Sequence, residues 1–395
     1  MLFSKRRIYL DYASAPPVLR DAIVAMRDAE QLVGNAGAIH TEGVAAKKSL
    51  EDSRARIAIP LGCKARELII TSGLTEANNL AIIGFARKLE QTRRSLSGTH
   101  WLVSSIEHDS VLGCFAEIER LGGTVSHVDP DERGIISPDA IGRMLRPETV
   151  FVSIGWANNE IGTVQPLGKI ARVLKNFSDH HKRHIAFHTD AGQALLYLPT
   201  VISSLGVDLL SLGGNKLYGP HGVGALYISN KVELATITFG GKQERGLRAG
   251  TESVALAAGF AAAFELVAYE RKLETERLKK LRDELAHELA ARIPSLIVNG
   301  DLKHSLPHML NVSIPNIQSE YVTLALDHAG FAVSTKSACR EGEESRSHVV
   351  AALGGEEWRA ANTIRISLGR DTRQRDIGSI VSALTRIVRI VGKTP

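Results

Sequence analysis

The stretch 210-LSLGGNKLYGPHGVGALYI-228 sets two apolar runs around a glycine-dense turn and places a single lysine, Lys216, inside that turn. The flanking runs, 207-VDLLSL-212 and 223-VGALYI-228, are short and almost wholly apolar, as strands buried on both faces are. Five similar runs precede them: 67-ELIIT-71, 101-WLVSS-105, 124-TVSHV-128, 149-TVFVSI-154 and 185-IAFHT-189. Longer helical patterns lie between, and strands alternating with helices imply βαβ units. The reading is an α/β chain whose larger part, residues 15–263, carries a mostly parallel seven-stranded sheet flanked by helices.

After this the pattern changes. From Phe264 to Ile293 the sequence reads as a charged helix with Leu278, Leu281, Leu285 and Leu289 on one stripe. Residues 264–395 then read as a smaller α+β unit, joined by the N-terminal segment 1–14. Its expected strands are 309-MLNVSI-314 and 363-TIRISL-368, with helices around 319–329, 345–353 and 374–391. The Ala-rich run 254-VALAAGFAAAF-264 is too short to cross a bilayer and suits a packed helix.

Over 395 residues, 44% hydrophobic and 23% charged residues exclude a disordered or fibrous chain. The net charge of +5 is mildly basic, but aromatics are only 5%, so no base-stacking surface and no direct nucleic-acid partner are expected. The opening MLFSKRRIYLDYA lacks the apolar core of a signal peptide, because Asp11 interrupts it. A cytoplasmic chain without a membrane span is expected. Cys63, Cys114 and Cys339 are too few and too scattered for a disulfide framework or a metal site.

Most of the expected strands end in polar or glycine-rich clusters (TSGLTEANN, EHDS, WANNEIG, DAGQ, GGNK), which is where open α/β sheets bind ligands. A lysine in a glycine turn is commonly just a solvated loop residue. Asp190, ending IAFHTD, gives Lys216 a second meaning. A carboxylate beside a lysine at neighbouring strand ends is the arrangement that holds pyridoxal phosphate, with the amine on the aldehyde and the carboxylate on the pyridine nitrogen. An Asp in that place also serves as an ordinary helix cap. In 71-TSGLTEANN-79, the backbone at Gly73 and the hydroxyls of Ser72 and Thr75 open a helix and suit a phosphate, although any capped helix start looks similar. His108 in 107-EHDSV-111 fits either a ring-stacking imidazole or a hydrogen-bonded loop histidine. Cys339 lies in the polar stretch 334-STKSACREGEESRSH-348, where Lys336 and Arg340 favour a thiolate; Cys63 and Cys114 have apolar neighbours.

Ten stretches in order carry a family resemblance: YLDYASAPPV, GNAGAIHTEG, TSGLTEANNLAI, EHDSVL, WANNEIGTVQ, FHTDAGQ, VDLLSLGGNKLYGPHGVGALY, ERGLRAGTE, STKSACREG and TIRISLGR. Together they resemble the class V pyridoxal phosphate enzymes, and within them the cysteine desulfurases of NifS/IscS type. The resemblance implies the type I fold of pyridoxal phosphate transferases. It makes Lys216 the Schiff-base lysine and base, Asp190 the pyridinium partner, His108 the stacking and proton-shuttling catalytic imidazole and Gln193 a donor to the ring hydroxyl. Thr75, Gly73 and Asn215 would seat the phosphate, helped by Thr251 from the other subunit of a homodimer. Asn159 and Arg365 would grip the substrate carboxylate, though Arg365 also suits a strand-end ion pair. The implied reaction takes sulfur from L-cysteine onto Cys339 as a persulfide, releases alanine and passes the sulfur to an acceptor protein for iron–sulfur or thiolation chemistry. The distance from Cys339 to 349-VVAALG-354 resembles the subgroup whose cysteine rides on a longer, mobile loop.

The chain departs from this pattern where Gly213, Gly214 and Asn215 replace Ser-Gly-His, which predicts weaker cofactor retention. Lys242 and Gln243 stand where Gly and His are usual, so Lys242 is a candidate for compensating charge; Ala36 and Pro16 also depart. Two other functions stay open at this point: a selenocysteine lyase or class V aminotransferase, and a non-catalytic scaffold or sulfur-relay homologue.

Overall fold

The computed structural model describes residues 7–335 and 346–391. A short β1 (Ile8–Tyr9) precedes the seven strands of the main sheet: β2 (Leu68–Thr71), β3 (His100–Ser104), β4 (Thr124–Val128), β5 (Thr149–Ser153), β6 (Ala186–Asp190), β7 (Leu209–Gly213) and β8 (Gly224–Ile228). Their order across the sheet is β2-β8-β7-β6-β5-β3-β4, with β8 antiparallel to both neighbours and every other pairing parallel. All seven expected strands are present. Their limits move by one or two residues: β3 begins at His100, β6 runs on to Asp190 and β7 to Gly213.

The near-continuous apolar runs reflect burial of the sheet on both faces. Trp101 and Val103 of β3 join one core with Phe115 and Phe151, whereas Leu102, between them, joins the other core with Val152, Ile154 and Phe187. Alternate residues thus serve opposite layers. Trp101 and Phe151 meet with ring centroids 5.2 Å apart, and burying each such side chain contributes roughly 1.5–3 kcal/mol. Edge strand β4 is only partly buried, which suits its more polar sequence, TVSHV.

Ser253 caps a long helix, Val254–Arg292, by accepting from the Leu256 N–H. The Ala-rich run and the charged helix read from the sequence are therefore one element, unbroken across position 263/264. Its Ala-rich start and its Leu278, Leu281, Leu285 and Leu289 stripe are both buried. Beyond it lie β9 (Ile297–Val298), β10 (Met309–Ser313), β11 (Phe331–Ala332) and β12 (Thr363–Ser367), with β10 central in a three-stranded antiparallel sheet. Helices Ser319–His328, His348–Ala352 and Gln374–Val391 match the expected ones. β1 pairs with β11, and the Ser367 N–H donates to the Leu10 carbonyl, so the N-terminal segment is stitched to these C-terminal strands. Among the described residues no helix is long and apolar enough to cross a membrane.

Candidate active site

The six parallel strands of the main sheet point their carboxyl ends to one edge. A cavity of about 400 Å³ opens there, within the range of small-molecule sites. Gly224 makes room for one wall. A Cβ at that position would lie 2.7 Å from both the Gly73 carbonyl carbon and the Leu212 oxygen, so only glycine on β8 admits the 71–74 turn beside β7. Gly73 itself has φ 152°, a backbone conformation that side chains rarely adopt, and starts the helix Leu74–Arg93.

Lys216 ends the short turn after β7 and lines this cavity with Asp190, Gln193, His108, Thr75, Gly73, Asn215, Asn159 and Arg365. The Lys216 Nζ donates to the carbonyls of Ala13 (3.0 Å) and Ser14 (2.6 Å). Gln193 Nε2 donates to the same Ala13 oxygen at 2.9 Å. Asp190 accepts the Gly192 N–H on Oδ1 (2.8 Å) and the Asn78 amide on Oδ2 (2.7 Å), so two donors fix its carboxylate at the strand end. It makes the local turn contact expected of a capping Asp while still lining the cavity.

Arg365, on β12, is 3% exposed. Its Nη1 donates to the Asn159 carbonyl (2.6 Å), and its Nη2 to Asp11 Oδ1 (3.0 Å) and Ser14 Oγ (2.6 Å). The ion pair and the contact with Asn159 therefore coexist. Arg365 Nε is buried without a hydrogen-bond partner among the described residues. Lys216, Gln193 and Arg365 all converge on residues 11–14, a role for Ala13 and Ser14 that the sequence reading lacked. No local pattern could reveal it, because the partners are some 180 to 350 positions away.

At the helix start, Glu76 accepts the Ser72 N–H at 2.5 Å and pairs with Arg248 at 3.1 Å. Burial works against its charge, but the hydrogen bonds from Ser72 and the Arg248 guanidinium hold its carboxyl below the usual range. The helix still offers first-turn N–H groups that have no intrahelical partner. Position 213, where the chain departs from the family pattern, is closely packed: a Cβ there would sit 3.0 Å from Asn215 Oδ1 and 3.2 Å from Leu74 Cβ. Leu74 and Asn215 thus occupy the space that a larger residue at 213 would need.

Two buried residues escaped the sequence reading: Glu107, which lines the cavity, and Asn78, which lies behind it and donates to Asp190 and Ser110 in the wall. Glu107, 5% exposed, accepts the Gly155 N–H at 2.7 Å, and burial, reinforced by the charge of Asp190, pushes its carboxyl up to about 8. Asn78 is fully buried on a helix face otherwise made of Leu74, Ala77, Ala81 and Ile82. A lone Asn on an apolar stripe was the available signal. Burial pushes the thiols of Cys63 and Cys114 up to about 12, which keeps both protonated. Cys339, with Lys336 and Arg340, lies outside the described residues. Thr251 is exposed and does not line the cavity of its own chain; Lys242 lines a separate groove with Arg54 and Glu244.

The family model of the class-V aminotransferases matches residues 8–380. The chain belongs to the class-V aminotransferase family. Within it, the cysteine desulfurase IscS of Dictyoglomus turgidum is 38% identical over 97% of this chain and 95% of that protein. The cysteine desulfurase IscS 1 of Archaeoglobus fulgidus is 35% identical over 96% of each. A solved structure of a NifS-like protein superposes with a TM-score of 0.89 at 30% identity, covering 97% of this chain and 100% of the other. These relatives place this class-V aminotransferase with the cysteine desulfurases, as the ordered motifs implied.

Proposed function

We propose that this chain is a cysteine desulfurase that holds pyridoxal phosphate in the cavity at the sheet edge. The carrying observation is that Lys216, Asp190, His108 and Arg365 line one cavity, as a covalent anchor, a pyridine-nitrogen partner, a ring-facing imidazole and a carboxylate clamp require. The donor set suits that cofactor: the Asp190 carboxylate accepts from two N–H groups, and a glycine-led helix start offers an anion seat. When bound, pyridoxal phosphate supplies an electron sink for charge developing at the substrate α-carbon.

The rest falls to side chains. Lys216, held by the Ala13 and Ser14 carbonyls, anchors the cofactor and moves the proton at the α-carbon. Arg365 orients the substrate carboxylate, with Asn159 beside it. Asp190 holds the ring nitrogen, Gln193 and His108 orient the ring, and Thr75, Gly73 and Asn215 take the phosphate. Cys339 accepts the sulfur of L-cysteine as a persulfide, alanine leaves, and an acceptor protein receives the sulfur. Thr251, exposed and outside its own cavity, fits a homodimer in which it serves the partner's phosphate site. We also keep a division at 15–263 and 264–395, with 1–14 joined to the second unit, and a cytoplasmic location.

The test is turnover of L-cysteine with a thiol reductant. Alanine and sulfide should form in equal amounts, Cys339→Ala should abolish sulfide while leaving the protein yellow, and Lys216→Ala should abolish both products. Sulfide release that survives Cys339→Ala would remove the assigned nucleophile. Protein that purifies colourless and takes up no added pyridoxal phosphate would instead favour the scaffold reading.

A further inference from the structure

Asn78 lies behind the cavity wall, is fully buried, and has no task in the proposed reaction. Its Nδ2 donates to Asp190 Oδ2 at 2.7 Å and to Ser110 Oγ at 2.9 Å. Its Oδ1 is buried with no hydrogen-bond partner among the described residues, so the amide is held by its donor end alone. Exchanging the two ends would set a carbonyl oxygen against the Asp190 carboxylate.

The next link also has a fixed direction. His108 Nδ1 accepts the backbone N–H of Ser110 at 3.1 Å, so that nitrogen carries a lone pair. The Ser110 hydroxyl lies 2.9 Å from the same nitrogen and must donate to it. With its proton committed to His108, Ser110 Oγ can only accept from Asn78. The amide therefore donates both ways, to the carboxylate on one side and to the hydroxyl on the other.

We infer that Asn78 is a positioning residue, an amide donor that ties Asp190 to Ser110 and, through that hydroxyl, holds His108 with Nδ1 as acceptor and the proton of the neutral ring on Nε2. In the proposed reaction this couples the group on the ring nitrogen to the imidazole facing the ring, and that consequence rests on the cofactor reading. The hydrogen-bond direction does not, and it can be tested without cofactor.

The experiment reads the tautomer of His108 from its two ring 15N shifts at about pH 9, where an imidazole is neutral, by histidine-selective NMR on the cofactor-free full chain, with the resonance assigned by its loss in His108→Gln. Glu107 and Asp109 flank the ring, and His348 packs on the Glu107 carbonyl. Glu76, Asp190, Lys216, His221 and Arg365 share the cavity wall. None of these is altered in the variants. The wild type should carry its ring proton on Nε2, and Asn78→Leu, close in shape, should shift the tautomer ratio toward Nδ1–H about two- to tenfold, the equivalent of one lost neutral hydrogen bond. Ser110→Ala should shift it similarly, and adding Asn78→Leu to Ser110→Ala should change nothing further. Asn78→Ala serves if the leucine variant does not fold. A wild-type proton on Nδ1, an unchanged ratio in Asn78→Leu, or equal shifts from Asn78→Leu with and without Ser110, would overturn the relay. Failure of wild-type protein to take up pyridoxal phosphate would instead sink the cofactor reading and leave the tautomer result standing.

Discussion

Replacing Glu107 with Gln should remove a pH dependence of stability that the wild-type fold carries. The carboxyl is 5% exposed, and burial, with the nearby charge of Asp190, raises it from 4.5 to about 8; the Gly155 N–H and the Ser104 hydroxyl only partly offset this. Because the folded-state value lies above the unfolded one, the folded chain keeps a proton that the unfolded chain gives up. Stability from this group is therefore fully present below the unfolded value, falls as pH rises between the two values and levels off above the folded one. With about 1.4 kcal/mol for each pH unit, the loss between about pH 6 and about pH 8 is roughly 2 kcal/mol. Gln keeps the shape and can still accept the Gly155 N–H, but it does not titrate. Urea unfolding of cofactor-free wild-type and Glu107→Gln protein at those two pH values measures the difference directly. The wild type should lose about 2 kcal/mol more than the variant on going to the higher pH. Parallel loss in both proteins would refute a protonated, buried Glu107.

Further expectations concern packing and charge. Gly213→Ser should destabilise the chain by about 1–3 kcal/mol through crowding against Asn215 and Leu74, and the double variant with Asn215→Ala, which removes the nearer of the two contacts, should recover most of it in thermal melts. An undiminished penalty in the double variant would mean that the Asn215 amide is not what excludes the serine. Glu244 holds the buried Arg54 with two hydrogen bonds of 2.6 and 2.7 Å and also accepts the Ile70 N–H, so Glu244→Ala should cost about 3–5 kcal/mol in urea unfolding. A loss below about 1 kcal/mol would place that pair among the weak surface type. Arg365→Lys should raise KM for L-cysteine about tenfold or more, since an ammonium cannot reproduce the planar fork between Asn159, Asp11 and Ser14. An unchanged KM would remove Arg365 from substrate binding.

The central sheet was readable because its strands are buried on both faces and so appear as apolar runs, while the clusters that follow them mark the carboxyl edge. Strand limits were less visible. His100 begins β3 and Asp190 ends β6, and polar residues at such ends do not look like strand. The helix 254–292 changes character part-way because its Ala-rich start packs close to other helices while its later turns bury only a leucine stripe. A change in composition therefore suggested a boundary where the backbone has none. In the cavity, Lys216, Asp190 and His108 stood out as chemical residue types at strand ends. Glu107 and Asn78 did not, since their importance comes from burial, and Ala13 and Ser14 act through backbone and hydroxyl groups that meet Lys216 and Arg365 only in the folded chain.

The central claim is that Lys216 is the covalent anchor of the cofactor. Protein loaded with pyridoxal phosphate should be reduced with borohydride and its peptides mapped by mass spectrometry. The account predicts one pyridoxyl phosphate adduct per chain, on Lys216, and its loss in Lys216→Ala. An adduct on another lysine, or none on protein that has taken up the cofactor, would contradict it.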